Sequence, residues 1–310
     1  MKIKIFIFIL IASCFYTCSK EQESPKGSQI SGTLYYEWAG HIFGYDLGTD
    51  QKFTFFEHTN DLNGWDVSRD GKILLTSKFI PGRTDVTQYT LSHAEDGNII
   101  SQFEYFPLDG ERDNIGILSP DNSLIAIKPT RAEGIVIVNT EGEVLHHLEG
   151  VNGEKINQFA EVLWLPGNVL VFTHQQHILR TDPPYNDIEH IKEMDYELWG
   201  NLHASFDGER LSLKIGNHLY LMNIDGSDLK QITESNHKER EAVFSPDGRH
   251  LLVGTDFYPG VFSKGKWNLK IIPADGNTYQ VDSDDSNLVR PVIPKGEKFI
   301  EQCTEIMLWR

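Results

Sequence analysis

The chain has 310 residues, 39 % of them apolar and 11 % aromatic, with 26 glycines, a composition that suits an all-β body large enough to bury a continuous core. Its 45 Asp+Glu against 28 Lys+Arg give a formal charge of −17, a field that repels phosphate backbones and anionic head groups and argues against a nucleic-acid partner. Of its three cysteines only Cys303 lies beyond residue 18, which excludes a disulfide within the body of the chain.

Met1-Lys2-Ile3-Lys4 is a short basic start, and Ile5 to Ile11 is an apolar stretch too short to span a bilayer as a helix, so the first 18 residues read as a secretion signal. Ile11-Ala12-Ser13-Cys14 resembles a lipobox, with small residues before a cysteine to be cleaved and lipidated. Cys18 competes with it, although bulky Phe15 and Tyr16 precede it, and the Ser19 to Glu23 run behind it resembles the surface-export signals of some lipoproteins. Lipidation at Cys14 or Cys18 would make the protein an outer-membrane lipoprotein, periplasmic or surface-exposed. Removal of Lys2 and Lys4 takes the charge to about −19. Residues 19 to 31 are polar, contain Pro and Gly, and read as a flexible tether.

From residue 32 onward one short turn recurs. It appears as Ser68-Arg69-Asp70-Gly71, Ser119-Pro120-Asp121-Asn122, Leu165-Pro166-Gly167-Asn168, Ser205-Phe206-Asp207-Gly208, Ser245-Pro246-Asp247-Gly248 and Ile293-Pro294-Lys295-Gly296. The turn residues Gly71, Asn122, Gly167, Gly208, Gly248 and Gly296 are 51, 45, 41, 40 and 48 apart, the period of one supersecondary unit repeated around a ring. Each turn is followed by an apolar run of strand length, such as Lys72 to Ser77 or His250 to Gly254, and so reads as the hairpin between the two inner strands of a blade. A second series (Asp46 to Gly48, Glu95 to Gly97, Glu141-Gly142, Asp182 to Pro184, Asp225-Gly226, Asp275-Gly276) interleaves with the first, which gives four strands per blade. Thr33 to Phe56 supplies three outer strands, while Leu288 to Pro294, Lys298 to Cys303 and Glu305 to Arg310 look like three inner ones. The reading is an all-β six-bladed β-propeller over residues 32–310, with seven blades as the alternative if the terminal strands form two partial blades.

Val243 to Thr255 (VFSPDGRHLLVGT), preceded by His218 to Ser235 (HLYLMNIDGSDLKQITES), resembles the WD-like repeat of TolB-type propellers. The likeness is fair at Trp65 to Ser77 and at Ile117 to Ile127 and degenerate around Trp164 and Val292. It implies a disc with a central channel, a scaffold shared by binding, scaffolding and some enzymatic proteins, and so no single function. TolB proteins carry an additional amino-terminal domain for which the residues before Thr33 leave no room, so TolB's own partners are not carried over.

Counting six to nine residues back from each turn residue collects a ring where blade-linking loops should converge on the channel mouth. The ligand-binding set expected there is Asn63, Asp113, Asn114, Gln158, Trp199, Glu239, Arg240 and Arg290, with Trp65, Glu161, Asn201, Glu241 and Asn287 beside them. Amides, carboxylates, guanidinium groups and aromatics suit hydrogen bonding and stacking on a polar ligand. The competing reading pairs Arg240 and Arg290 with Asp113, Glu239 or Glu241 to tie neighbouring blades. Among 12 histidines, His174 and His177 would sit on one turn, and His58, His203 and His237 could meet only across the ring. Asp282 to Asp285 and Asp109 to Asp113 are acidic turns without the oxygen-ligand spacing of a calcium loop. No metal and no cofactor is expected. No Gly-x-Ser-x-Gly elbow is present. The function expected is a non-catalytic envelope lipoprotein that binds a protein or glycan through a rigid propeller face. The alternative is a propeller-based polysaccharide lyase or hydrolase, for which Asp113 and Glu239 could supply paired carboxylates.

Overall fold

The computed structural model describes residues 30–107, 114–128, 134–260, 265–282 and 288–310. The signal segment, Cys14, Cys18, nearly all of the tether, Asp113 and Asn287 lie outside them. Blade 1 comprises Leu62–Val67, Ile73–Phe79, Thr87–His93 and Ile99–Tyr105; blade 2, Gly116–Leu118, Leu124–Ile127, Ile135–Asn139 and Val144–Leu148. Blade 3 is Val162–Leu165, Val169–His174, His177–Thr181 and Glu189–Glu193; blade 4, Trp199–Ala204, Arg210–Ile215, His218–Asn223 and Lys230–Gln231. Blade 5 opens with Ala242–Phe244, His250–Tyr258 and Lys266–Pro273. Blade 6 closes the ring by pairing Met307–Trp309 with Thr33–Trp38, which is followed outward by His41–Asp46 and Gln51–Glu57.

The four Ser-containing turns owe their recurrence to one hydrogen-bonding device. Ser245 Oγ donates to Asp247 Oδ1 at 2.7 Å and accepts from the His250 N–H at 2.9 Å, while Gly248 takes a φ of +68°. Ser68, Ser119 and Ser205 repeat the arrangement with Asp70, Asp121 and Asp207. Each serine is buried at the root of an inner hairpin, so its hydroxyl satisfies an N–H that water cannot reach.

Strand periodicity then builds the core between blades. In blade 2, Ile135 and Ile137 pack with Val162, Trp164 and Phe172 of blade 3, while Val136 and Val138 pack with Leu75, Tyr89 and Leu91 of blade 1. Alternate residues of one strand thus face opposite neighbours, and both faces are apolar because both are covered. Outer strands such as Gln51–Glu57 and Glu189–Glu193 are largely polar and exposed.

The carboxyl-terminal segment departs from the expectation. Ile293 to Gly296 is not an inner hairpin: Arg290–Pro291 and Gln302–Cys303, on either side of it, both pair with Lys266–Pro273 as the broken outer strand of blade 5. Pro291, within the strand that precedes the turn, lacks the N–H that an inner strand must donate, which confines this segment to an edge. Only Met307–Trp309 enters blade 6 beside the three amino-terminal strands, so four places hold four strands and six blades close the ring. The seam is held by reciprocal Thr33–Arg310 backbone bonds and by Trp309 Nε1 donating to the Ser31 carbonyl at 2.9 Å.

Candidate functional site

The innermost strands of all six blades surround a cavity of ≈ 480 Å³. One end is closed. Arg69, in the blade 1 turn, crosses the axis to donate Nη1 to the Phe206 carbonyl at 2.7 Å and Nη2 to the Trp164 carbonyl at 2.8 Å. Arg310 enters from blade 6 and donates to the Val67 carbonyl at 2.6 Å and to Asp66 Oδ1 at 3.1 Å. Both guanidinium groups lie on the Phe206 ring, at 5.3 and 5.9 Å from its centroid. Burial, with the like charge of Arg310 beside it, brings the Arg69 guanidinium down to about 10. Burial pushes the Asp66 carboxyl above its ordinary value, against the pull of Arg310 and of the Leu118 and Val67 N–H groups.

The other end is the mouth where the inner strands begin, and polar links join neighbouring blades around it. Gly200 and Asn201 turn the start of blade 4 so that the N–H groups of Asn201 and Leu202 both donate to the Glu161 carboxylate of blade 3. Two successive N–H groups cradling one carboxylate form an anion nest. Gly200 is required there: its φ is +148°, and a Cβ would lie 2.5 Å from Glu161 Oε1. His203 Nε2 contacts Glu241 Oε2 at 2.8 Å, tying blade 4 to blade 5. Asn63 Nδ2 donates to the Asn114 carbonyl at 2.5 Å, tying blade 1 to blade 2. Lys128 lines the cavity from blade 2; burial lowers its pKa, and the charge of Glu161 works the other way. Phe159 stands at the rim with 80 % of its surface exposed.

The structure distributes the sequence-derived set unevenly. Asn63 and Asn114 form the link just described, and Gln158 is exposed next to Phe159. Trp199 packs in the core between blades 3 and 4 and donates Nε1 to Gln176 Oε1 at 2.7 Å. Glu239 is fully buried and bound by His218, Thr233 and Ser235, a tie within blade 4 and its following loop. Arg240 lies over Phe257 and Trp267 at 5.7 and 5.6 Å, and its buried Nε has no hydrogen-bond partner among the described residues. Arg290 was reached by counting back from the Ile293 to Gly296 turn, and with that turn on an edge it sits on the outer strand of blade 5. Lys128, Phe159 and Glu305 also line the cavity, and none of them was in the expected set. Phe159 lies eight residues before Gly167, within the counted window, but is apolar in a set chosen for polar ligands; Lys128 follows the inner turn of its blade, so counting back from turns cannot reach it.

The three histidines do not converge. His58 lies 3.7 Å from Glu37, His203 faces Glu241, and His237 is exposed. Burial lowers the pKa of His174, opposite His177 in the blade 3 hairpin, while His177 Nδ1 is 3.1 Å from His190 Nε2. Cys303 is fully buried, and burial pushes its thiol up, as befits a core residue.

No family model matches the sequence, and no curated protein matches it. Among solved structures, TolB from Acinetobacter baumannii superposes with a TM-score of 0.62 at 16 % identity, over 91 % of this chain and 67 % of that one. A protein described as TolB from Agrobacterium tumefaciens gives 0.56 at 13 % identity, over 80 % and 87 % of the two chains. A chain of a nidogen/laminin complex gives 0.54 at 12 % identity, over 78 % and 89 %. With six four-stranded blades, an amino-terminal triple of strands completed by the last strand of the chain, and these likenesses, the fold is that of a TolB-like six-bladed β-propeller.

Proposed function

We infer that this chain is a non-catalytic binding module, anchored in the bacterial cell envelope through Cys14 or Cys18, that docks a polypeptide segment of a partner at the open mouth of its channel. The charge distribution carries the reading. The chain bears −17 overall, yet the cavity wall sets Arg69, Lys128 and Arg310 against Asp66, Glu161, Glu241 and Glu305. Acidity is therefore concentrated outside the channel, and the channel suits a polar segment of low net charge, such as polypeptide backbone, over a polyanion. Exposed Phe159 at the rim offers the aromatic anchor that such interfaces place beside a pocket. The likeness in fold to TolB and to a chain of a nidogen/laminin complex supports a binding role without naming the partner.

The test is site-specific photo-crosslinking in envelope preparations, with the probe at Phe159 and, as control, at exposed Leu145 on the outer strand of blade 2. A discrete protein adduct from position 159 alone is the expected result. No adduct at 159, or equal adducts at both positions, overturns the docking site; loss of the adduct when a soluble glycan is present during irradiation replaces the polypeptide with a sugar chain. For the anchor, labelling with radioactive palmitate should persist in one of Cys14→Ala and Cys18→Ala and vanish in the other; labelling of neither wild type nor variants removes the lipoprotein reading.

A further inference from the structure

At the seam where the two ends of the chain meet, Glu37, His58 and Glu305 bring one carboxylate oxygen, one imidazole nitrogen and a second carboxylate oxygen within 4.8 Å of one another. The three come from separate segments. Glu37 is the penultimate residue of Thr33–Trp38 in blade 6, His58 follows the outermost strand of that blade, and Glu305 precedes the innermost. Their backbones are pinned: the His58 N–H donates to the Gly40 carbonyl at 3.0 Å, the Glu37 N–H to Ile306 at 3.1 Å, and the Thr304 N–H to the Glu37 carbonyl at 2.9 Å. Glu37 is buried, the other two are half-buried, and Glu305 also lines the channel.

We propose that Glu37, His58 and Glu305 form a site for one divalent transition-metal ion, Zn²⁺ by preference, at the wall of the channel mouth. A divalent cation between two carboxylates is held by charge attraction to both, which the burial of Glu37 strengthens. A tetrahedral ion with bonds of about 2.1 Å holds its ligand atoms roughly 3.4 Å apart. His58 Nε2 already lies 3.7 Å from Glu37 Oε1, so small side-chain rotations complete the set. One nitrogen with two oxygens favours Zn²⁺, then Mn²⁺, over Ca²⁺ or Mg²⁺, which take oxygen ligands in larger numbers. Three protein ligands leave at least one position to water, and Glu305 also lines the channel. The site is independent of the identity of the docked partner.

Isothermal titration of the full chain with ZnCl₂ and MnCl₂ tests it, alongside Glu305→Gln, His58→Ala and, as a control, His177→Ala, which removes the exposed His177–His190 pair. The expected result is one Zn²⁺ per chain, bound more tightly than Mn²⁺, with affinity reduced at least tenfold in both site variants and unchanged in the control. Absence of Zn²⁺ binding below about 100 µM in wild type, or unchanged affinity in the site variants, overturns the proposal. X-ray absorption at the zinc edge of the wild-type protein settles the point even if a variant misfolds. One imidazole with oxygen neighbours at about 2.0–2.2 Å supports the site. Two or more imidazoles place the ion elsewhere and refute it.

Discussion

Replacing Arg69 by Met keeps the aliphatic stem and removes the head group that spans the closed end of the channel. Two donations from a charged group to the Phe206 and Trp164 carbonyls are lost, worth roughly 1.5–3 kcal/mol each, or about 3–6 together. Against this stands the cost of holding a guanidinium where burial and Arg310 bring it down to about 10. Discounted for the water that still reaches the half-buried side chain, that cost is about 2 kcal/mol and is recovered in the variant. The net expectation is a loss of about 2 kcal/mol, which for a unit of this size lowers Tm by about 4 °C. Urea and thermal unfolding followed by tryptophan fluorescence read it directly, and the double variant with Phe206→Ala should lose less than the sum of the singles, because both changes dismantle one stack. An Arg69→Met protein as stable as wild type would show that water replaces the two carbonyl contacts at no cost and that the bridge does not brace the ring.

Ser245→Ala leaves the His250 N–H without its buried acceptor and should cost about 2 kcal/mol, again near 4 °C in Tm; a change under 1 °C would contradict the role given to the turn hydroxyl. Trp309→Ala empties a fully buried site in the strand that closes the ring and should cost about 3–5 kcal/mol, seen as a fall in the urea midpoint; a value within error of wild type would mean that the seam does not limit stability. Acid should weaken the fold through the turn aspartates. Burial acts to raise the pKa of Asp121, but hydrogen bonds from Ser123, Ser119 and Asn168 bring it down to about 2, and Asp70 and Asp207 are lowered chiefly by Ser68 and Ser205. A carboxyl lower in the folded chain than in the unfolded one stabilises above about pH 4 and loses that contribution as pH falls toward 2. The urea midpoint should drop across this window, less steeply in Asp121→Asn, and an identical pH profile in the variant would exclude Asp121 as a contributor.

The ring was legible because its turns are local. In four of the turns the Ser and Asp of one tetrapeptide bond each other and N–H groups no more than five residues on, so spacing alone reveals the period. The misplaced sixth turn shows where that logic stops: Ile293 to Gly296 has the turn residues, but Pro291 cannot donate to a ladder from within the strand before it. A turn scored together with the donor capacity of its flanking strands would have moved Arg290 to the edge.

The mouth was less legible because its contacts join residues about forty positions apart, from Glu161 to Asn201 and from His203 to Glu241. Which of several neighbouring carboxylates faces the axis depends on register. Glu241 and Val243 line the channel while Ala242 turns into the core between blades 4 and 5. Glu239, only two residues before Glu241, belongs to the loop before the strand and is captured by His218, Thr233 and Ser235 instead. Period-two alternation therefore identifies channel residues only from the first paired residue onward. Before it, the side chain follows whichever hydrogen-bond partners the adjoining loop supplies. Glu37 and Glu305 illustrate the same rule at the seam: they stand near the paired residues of antiparallel neighbours from opposite ends of the chain, and no spacing in the sequence could bring them together before the ring closes.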